Sequence, residues 1–309
     1  MSSPFHRLDP KRLRPGITLG QFRRSLTDKF KRSGIDTAEV DARRLIMEAL
    51  ELERADMITR SGHVLSLKDM KQITALSERR LAGEPVDHIC GYKDFYGHRF
   101  KISKDVLSPR PETEGLVDMA LEIIGVNGAA HVLELGVGSG AVIISILKVC
   151  ENVQAIGTDI SKAALEIARA NARAHNVTGR AEFIQGDWFS GDWISGDWVS
   201  GTGHKCQFDV IISNPPYISK ADMAALDYEV SAFDPKLALD GGEDGLAAYR
   251  EIISKAGPYL KPKGCLCLEI GHDQRLSVSE ILEQYDFHLE EIWQDLAGHD
   301  RIIKAQKAG

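Results

Sequence analysis

The stretch His131-Val132-Leu133-Glu134-Leu135-Gly136-Val137-Gly138-Ser139-Gly140-Ala141-Val142-Ile143-Ile144-Ser145-Ile146-Leu147 decides the fold class. Residues 131–135 read as a short buried strand and residues 141–147 as a helix. Between them lie glycines 136, 138 and 140. A turn of this kind lets a ligand approach the backbone and presents N–H groups at the start of the helix. Working outward, apolar runs at 153–158, 183–185 and 208–213 alternate with helix-periodic segments such as 161–175. That alternation predicts a parallel sheet with helices on both faces and a ligand site at the carboxyl ends of the strands.

Candidate site residues stand at those ends. The second strand finishes at Asp159, an acid placed to accept both hydroxyls of a ribose; capping of the helix that follows, by Asp159 or by Ser161, is the structural alternative. With Ala141 the glycine loop also fits the dinucleotide pattern, so the glycines alone leave nicotinamide and S-adenosylmethionine cofactors both open. The apolar run 208–213 leads into Asn214-Pro215-Pro216-Tyr217. Two consecutive prolines end a strand abruptly. They leave an amide side chain, two backbone carbonyls and an aromatic ring at the edge of the sheet, a set suited to a planar –NH2 group: oxygens accept its N–H bonds and the ring packs on its face.

In order, the glycine loop, Asp159, Gly186-Asp187-Trp188 and Asn214-Pro215-Pro216-Tyr217 resemble the class I S-adenosylmethionine-dependent methyltransferases. More narrowly, the chain is similar to the N5-glutamine methyltransferases of peptide-chain release factors. The narrower likeness is carried by Ala82-Gly83-Glu84-Pro85, Phe95-Tyr96-Gly97, Val106-Leu107-Ser108-Pro109-Arg110-Pro111-Glu112-Thr113-Glu114, Phe233-Asp234-Pro235, Leu239-Asp240-Gly241-Gly242-Glu243-Asp244-Gly245-Leu246 and Asp295-Leu296-Ala297-Gly298. The chain departs from the family pattern at Ser108, Glu134, Val137 and His299. The resemblance implies an α/β class I (Rossmann-like) methyltransferase domain at 109–309 with a seven-stranded, mostly parallel sheet. A helical substrate-docking domain at 1–83 and a β-hairpin linker at 84–108 precede it. S-adenosyl-L-methionine is the implied cofactor, with no metal, held by Gly136, Val137, Gly138, Ser139, Gly140, Asp159, Asp187, Trp188 and Asn214, the Asp187-Trp188 pair serving adenine. The implied catalytic residues are Asn214, Pro215 and Tyr217. With Pro216 they bind the glutamine amide of the Gly-Gly-Gln loop of class I release factors. A ribosomal-protein glutamine and, less favoured, a DNA adenine N6 remain alternative acceptors, since both offer an –NH2 to the same loop.

Composition bounds the partners. Residues 1–110 hold 22 Lys and Arg against 15 Asp and Glu, and the remainder 16 against 30. An acidic catalytic half argues against duplex DNA, whose affinity rests on phosphate contacts. The basic part suits an acidic protein or RNA, although Arg43, Arg44, Arg79 and Arg80 individually read as solvated helix surface. No apolar run reaches the ~20 residues of a membrane span and no signal peptide is visible, so a cytoplasmic enzyme is expected. The five cysteines, Cys90, Cys150, Cys206, Cys265 and Cys267, match no zinc spacing and read as buried thiols.

Within 17–83, inward-facing helix positions are expected at Leu19, Phe22, Leu26, Phe30, Val40, Leu45, Ile46, Leu50, Met70, Ile73, Leu76 and Leu81, with breaks at Ser33-Gly34 and Ser61-Gly62. A β-hairpin is expected over 88–103, a helix over 112–124, and final strands over 287–294 and 301–305, the last antiparallel to its neighbours. Residues 186–201 repeat Gly-Asp-Trp three times; Trp193 and Trp198 read as a loop expansion.

Overall fold

A computed structural model describes residues 16–125, 127–190 and 207–307. It divides into two compact units, one up to Gly91 and one from Tyr92 onward. Trp193, Trp198 and Cys206 lie outside the described residues.

The first unit is helical: α1 (Leu19–Arg32), α2 (Ala38–Leu50), α3 (Asp56–Thr59), α4 (Leu67–Leu81) and α5 (Val86–Cys90). Thr18 and Ser66 close capping boxes at the starts of α1 and α4, each satisfying two backbone N–H groups otherwise left open. The core gathers Leu19, Phe22, Leu26 and Phe30 of α1 with Ala42, Leu45 and Ile46 of α2 and Met70 and Ile73 of α4.

Three expectations change here. Val40, expected inside, is 45% exposed; α2 turns Ala38, Asp41, Ala42, Leu45 and Ile46 inward. The reason is a buried ion pair, Asp41 with Arg80 at 2.7 Å, with Thr37 Oγ1 donating a second bond to Asp41. Arg80 is therefore core rather than solvated surface, while Arg44 pairs with Asp87 and Arg79 with Glu84. Third, residues 86–90 are helical, so Ile89 does not belong to a hairpin. Pro85 sets an extended entry to α5, and Gly91 ends it in the left-handed region at φ 76°.

The second unit begins with the hairpin β1 (Tyr92–Phe95) and β2 (His98–Lys101), followed by α6 (Glu114–Ile124). Then come β3 (Ala130–Leu135), α7 (Ala141–Val149), β4 (Val153–Asp159), α8 (Lys162–Ala174), β5 (Ala181–Gln185) and β6 (Phe208–Ser213). The short helices α9 (Lys220–Met223) and α10 (Tyr228–Phe233) lead to α11 (Ala247–Ala256), β7 (Leu260–Glu269), α12 (Arg275–Gln284), β8 (Phe287–Gln294) and β9 (Asp300–Lys307). The sheet has seven strands in the order β5-β4-β3-β6-β7-β9-β8. β9 is antiparallel to both neighbours, as expected, and the pairs from β5 to β7 are parallel. Central strands buried on both faces explain the continuous apolar runs, such as Val210-Ile211-Ile212 and Leu266-Cys267-Leu268. Cys150, Cys265 and Cys267 are buried free thiols, whereas Cys90 is only half-buried.

The Asp41–Arg80 pair gives the first test. Removing one partner of a buried pair strands the other charge and costs about 3–5 kcal/mol. Asp41→Ala is expected to lower the stability of the helical unit by that order, read as an earlier urea transition, while replacing Val40 by Ala shifts it little.

Candidate active site

The carboxyl ends of β3 and β6 lie side by side, tied by Ser213 Oγ donating to the Leu135 carbonyl at 2.8 Å. From these ends the glycine loop and the Asn-Pro-Pro-Tyr loop diverge around a cavity of about 490 Å3. Its wall includes Gly136, Val137, Gly138 and Ser139, Asp159, Asp187 and Trp188, and Asn214 and Pro216. Three expected site residues stand apart from that wall: Gly140, Pro215 and Tyr217.

Gly140 has a packing role. At φ 79° it favours glycine, and a Cβ there would come within 2.9 Å of Ile144 Cδ1 and 3.3 Å of Ala168 Cβ on α8. Gly136, at φ 71°, faces Trp188: a Cβ there would sit 3.7 Å from the Trp188 ring. Trp188 itself has φ 50°, and beside it Phe189 stacks on Tyr259 with centroids 4.8 Å apart. Pro215 is buried under the loop. Tyr217 is largely buried, its carbonyl accepting from Gln274 Nε2 at 3.0 Å, and burial pushes its hydroxyl above the ordinary range. Gln274 also reaches the Gly245 carbonyl, and Gly241 N donates to the Ile218 carbonyl at 2.8 Å. The Asp240–Leu246 segment thus braces the Asn-Pro-Pro-Tyr loop from behind.

Asp159 accepts from Gly138 N at 2.9 Å and Ser161 N at 2.8 Å, so it ties the glycine loop to the start of α8. Ser161, not Asp159, caps that helix, its Oγ accepting from Ala164 N. The carboxyl of Glu134 is nearly buried and accepts from Ile143 N at 3.0 Å. Burial lifts Glu134 well above the usual carboxylate range and also raises Asp159.

Glu134 discriminates between the two cofactor classes. A dinucleotide rests its pyrophosphate on the N–H groups that open the helix after the glycine loop. Here a protein carboxylate takes one of them. Among the described residues the rest of the wall adds Asp105, Asp159, Asp187, Asp240 and Glu251 against one cation, Arg110. That lining opposes a diphosphate and suits a ligand bearing cationic centres, such as a sulfonium and an ammonium. Among the described residues no cluster of three or more His, Cys, Asp or Glu is arranged to hold a metal, and no helix is long and apolar enough to cross a membrane.

Sequence reasoning overlooked Glu134 as a contact, along with Arg110, Thr113 and Asn171. Asn171 is buried; it donates to the carbonyls of Ser139 and Lys101 and accepts from Lys101 N at 2.8 Å, joining the glycine loop to β2. Thr113 lines the cavity and accepts from Asn214 Nδ2 at 3.3 Å. A polar residue facing inward from an otherwise apolar helix face was the available signal for Asn171.

Comparison with known proteins places the chain in a family. Residues 21–91 match the PrmC N-terminal domain and residues 127–301 a methyltransferase domain. A protein of Agrobacterium fabrum named release factor glutamine methyltransferase is 40% identical over 279 residues, covering 89% of this chain and 92% of its own. One of the same name from Caulobacter vibrioides is 36% identical, with 94% and 97% covered. The chain belongs to the release factor glutamine methyltransferase family. A relative from Rickettsia typhi, named bifunctional methyltransferase, is 34% identical; this chain spans 57% of its length.

The lifted carboxyls make a pH prediction. Without ligand, Glu134 and Asp159 hold protons to higher pH than ordinary carboxylates; a cationic ligand favours their ionised forms. S-adenosylmethionine binding is therefore expected to release protons and to tighten as pH rises. Calorimetry in buffers of different ionisation enthalpy reads the release directly, and Glu134→Gln should diminish it. Heat independent of buffer counts against this reading, as does tighter binding of NAD.

Proposed function

We propose that the chain transfers a methyl group from S-adenosyl-L-methionine to the side-chain amide nitrogen of the glutamine in the Gly-Gly-Gln loop of class I release factors. Family membership supports the protein-glutamine acceptor, the relatives being named for it. The observation that carries the chemistry is Asn214. Its Nδ2 is engaged by Thr113, so Oδ1 is the acceptor it offers, on the same cavity wall as the glycine loop, Asp159 and Trp188.

When bound, S-adenosylmethionine supplies an electrophilic methyl on a cationic sulfur. The residues of the chain deal with a weak nucleophile, an amide nitrogen whose lone pair is delocalised. Asn214 Oδ1 accepts from the glutamine –NH2, which orients the nitrogen and offsets the positive charge that grows on it, while Pro215, buried behind, fixes the backbone that carries Asn214. Pro216 walls the amide in and Tyr217 supports the loop from beneath. The methylated nitrogen is strongly acidic and passes its extra proton to water, so no side-chain base and no metal enter this scheme. Glycines before the glutamine give the acceptor loop the backbone freedom to enter a narrow cavity. The acidic cavity disfavours a nucleic acid, with its phosphates, as the alternative acceptor.

Asn214→Ala should leave S-adenosylmethionine affinity within a few-fold and lower kcat by about 10²–10³, the usual worth of an oriented group of this kind. Mass spectrometry of the release factor, with and without the enzyme, reads the product as one methyl on that glutamine. A variant with near-normal turnover would sink the role given to Asn214.

We assign docking of the protein substrate to the helical unit, which carries none of the methyl-transfer residues. Intact release factor is then expected to show a higher kcat/KM than a Gly-Gly-Gln peptide, with added salt eroding the advantage if charge steers the encounter. Equal values for factor and peptide would remove the docking role.

A further inference from the structure

Glu269 ends β7 on the ligand side of the sheet, yet it does not line the cavity. Its side chain is 1% exposed, and its Oε2 has no hydrogen-bond partner among the described residues. A fully buried acid with a spare oxygen costs stability unless something is gained in return. Its neighbour on the cavity side is Thr113, 4% exposed, whose hydroxyl is near enough to the Glu269 carboxyl to favour its ionised form. The same Thr113 Oγ1 accepts from Asn214 Nδ2 at 3.3 Å. A hydroxyl has one proton to give. If that proton goes to a carboxylate, its oxygen is left as an acceptor, and only the nitrogen end of the Asn214 amide can meet it.

We propose that Glu269 is a positioning residue for methyl transfer: acting through the Thr113 hydroxyl, it holds the Asn214 amide with Nδ2 turned inward and Oδ1 turned to the substrate. The inference rests on the function proposed above, in which Oδ1 accepts from the glutamine –NH2. An amide facing the other way presents –NH2 to –NH2 and cannot orient the acceptor nitrogen.

The relay has a built-in dependence on protonation. Burial lifts the Glu269 carboxyl to about 7, opposed by the Thr113 hydroxyl. The other charged and titratable groups that face it are Arg110 and Arg301, which favour the ionised form, Glu112, which disfavours it, and the hydroxyls of Tyr217 and Tyr249. Tyr249 donates to the Glu269 main-chain carbonyl at 2.9 Å and so holds the end of the strand in place. Once protonated, Glu269 becomes a donor to Thr113, whose own proton can then go to Asn214 Oδ1. The amide turns over and the productive acceptor is lost. Activity should therefore fall on the acid side with a midpoint near 7, in the range set by this carboxyl.

The experiment compares the full-length wild type with Glu269→Gln, Thr113→Val, Thr113→Ser and the Glu269→Gln/Thr113→Val double variant. Methylation of a Gly-Gly-Gln peptide is followed at saturating S-adenosylmethionine across that pH range. Glu269→Gln should lower kcat roughly 10-fold or more above the midpoint, with cofactor Kd within about twofold, and should lack the acid limb. Thr113→Val should match it, the double variant should be no worse than either single change, and Thr113→Ser should restore turnover. A thermal series provides a readout independent of activity. The stability contributed by the raised carboxyl is complete below its ordinary 4.5 and lost as pH rises through about 7, so Glu269→Gln should lack that loss. Full turnover with the acid limb intact in Glu269→Gln overturns the proposal, as do losses in the two single variants that multiply. If Glu269→Gln does not fold, the Thr113 pair decides: near-normal turnover in Thr113→Val overturns it, and loss in Val with recovery in Ser supports it. A wild type that methylates no glutamine sinks the function reading and this inference with it; an active wild type with unaffected variants sinks this inference alone.

Discussion

Parallel pairing is the constraint on which the rest of the structure depends. It forces the carboxyl ends of β5, β4, β3, β6 and β7 onto one edge in that spatial order. Each of these ends carries a polar side chain: Asp187 just beyond β5, Asp159, Glu134, Asn214 just beyond β6, and Glu269. Five acceptors spread along the chain from Glu134 to Glu269 become a row a few strands wide. None could stay in the apolar interior of the strands without a partner, and all sit where the sheet gives way to loops. The site follows from the topology, with the residue at each strand end setting what it binds.

The row divides by function along its length. On the side of β4 and β3, Asp159 and Glu134 hold the glycine loop and the start of α7 through backbone N–H groups, and the acidic lining there suits a cationic ligand better than a diphosphate. On the side of β6 and β7 the groups are neutral or sequestered: an amide, a threonine hydroxyl and a carboxyl withdrawn from the cavity. This suits an acceptor that is neutral itself and becomes positive only in the transition state. A full charge beside the amide nitrogen would bind the ground state as much as the transition state, whereas an oriented dipole responds most where charge develops. Ser213, bonded to the Leu135 carbonyl, holds the two halves at a fixed spacing.

Much of this was legible because it is local in sequence. The glycine loop, the acid after β4, the Asp-Trp pair and Asn-Pro-Pro-Tyr are each contiguous, and the apolar runs gave the strands their order. What escaped reading depends on partners far along the chain. Thr113 lay in a segment recognised only by resemblance, and its bond to Asn214 spans a hundred residues. Glu269 was hidden at the end of an apolar run, although an acid after Cys265-Leu266-Cys267-Leu268 is itself a signal, because such a residue stays buried only with a partner. The helical unit repeats the lesson. Periodicity placed Val40 inside, but a carboxylate neutralised by Arg80 can occupy the core and rotates the helix face with it.

Gly140 and Tyr217 refine the meaning of a motif. Both belong to short signatures that read as contacts, yet Gly140 is fixed by the approach of α7 to Ala168 of α8, and Tyr217 by its burial against the loop at 241–245. A Cβ at Gly241 would lie 2.8 Å from Tyr217 Cα, and one at Gly245 would lie 2.5 Å from the Tyr217 carbonyl oxygen. The glycine-rich segment after α10 is thus as much a part of the Asn214–Tyr217 loop as its four named residues, because it allows the backbone behind them to close. Gly241→Ala should accordingly act through Asn214: the displaced loop should lower kcat while leaving S-adenosylmethionine affinity, set on the other side of the row, close to its original value. Cofactor affinity falling in step with turnover would mean that the two halves of the site move as one body.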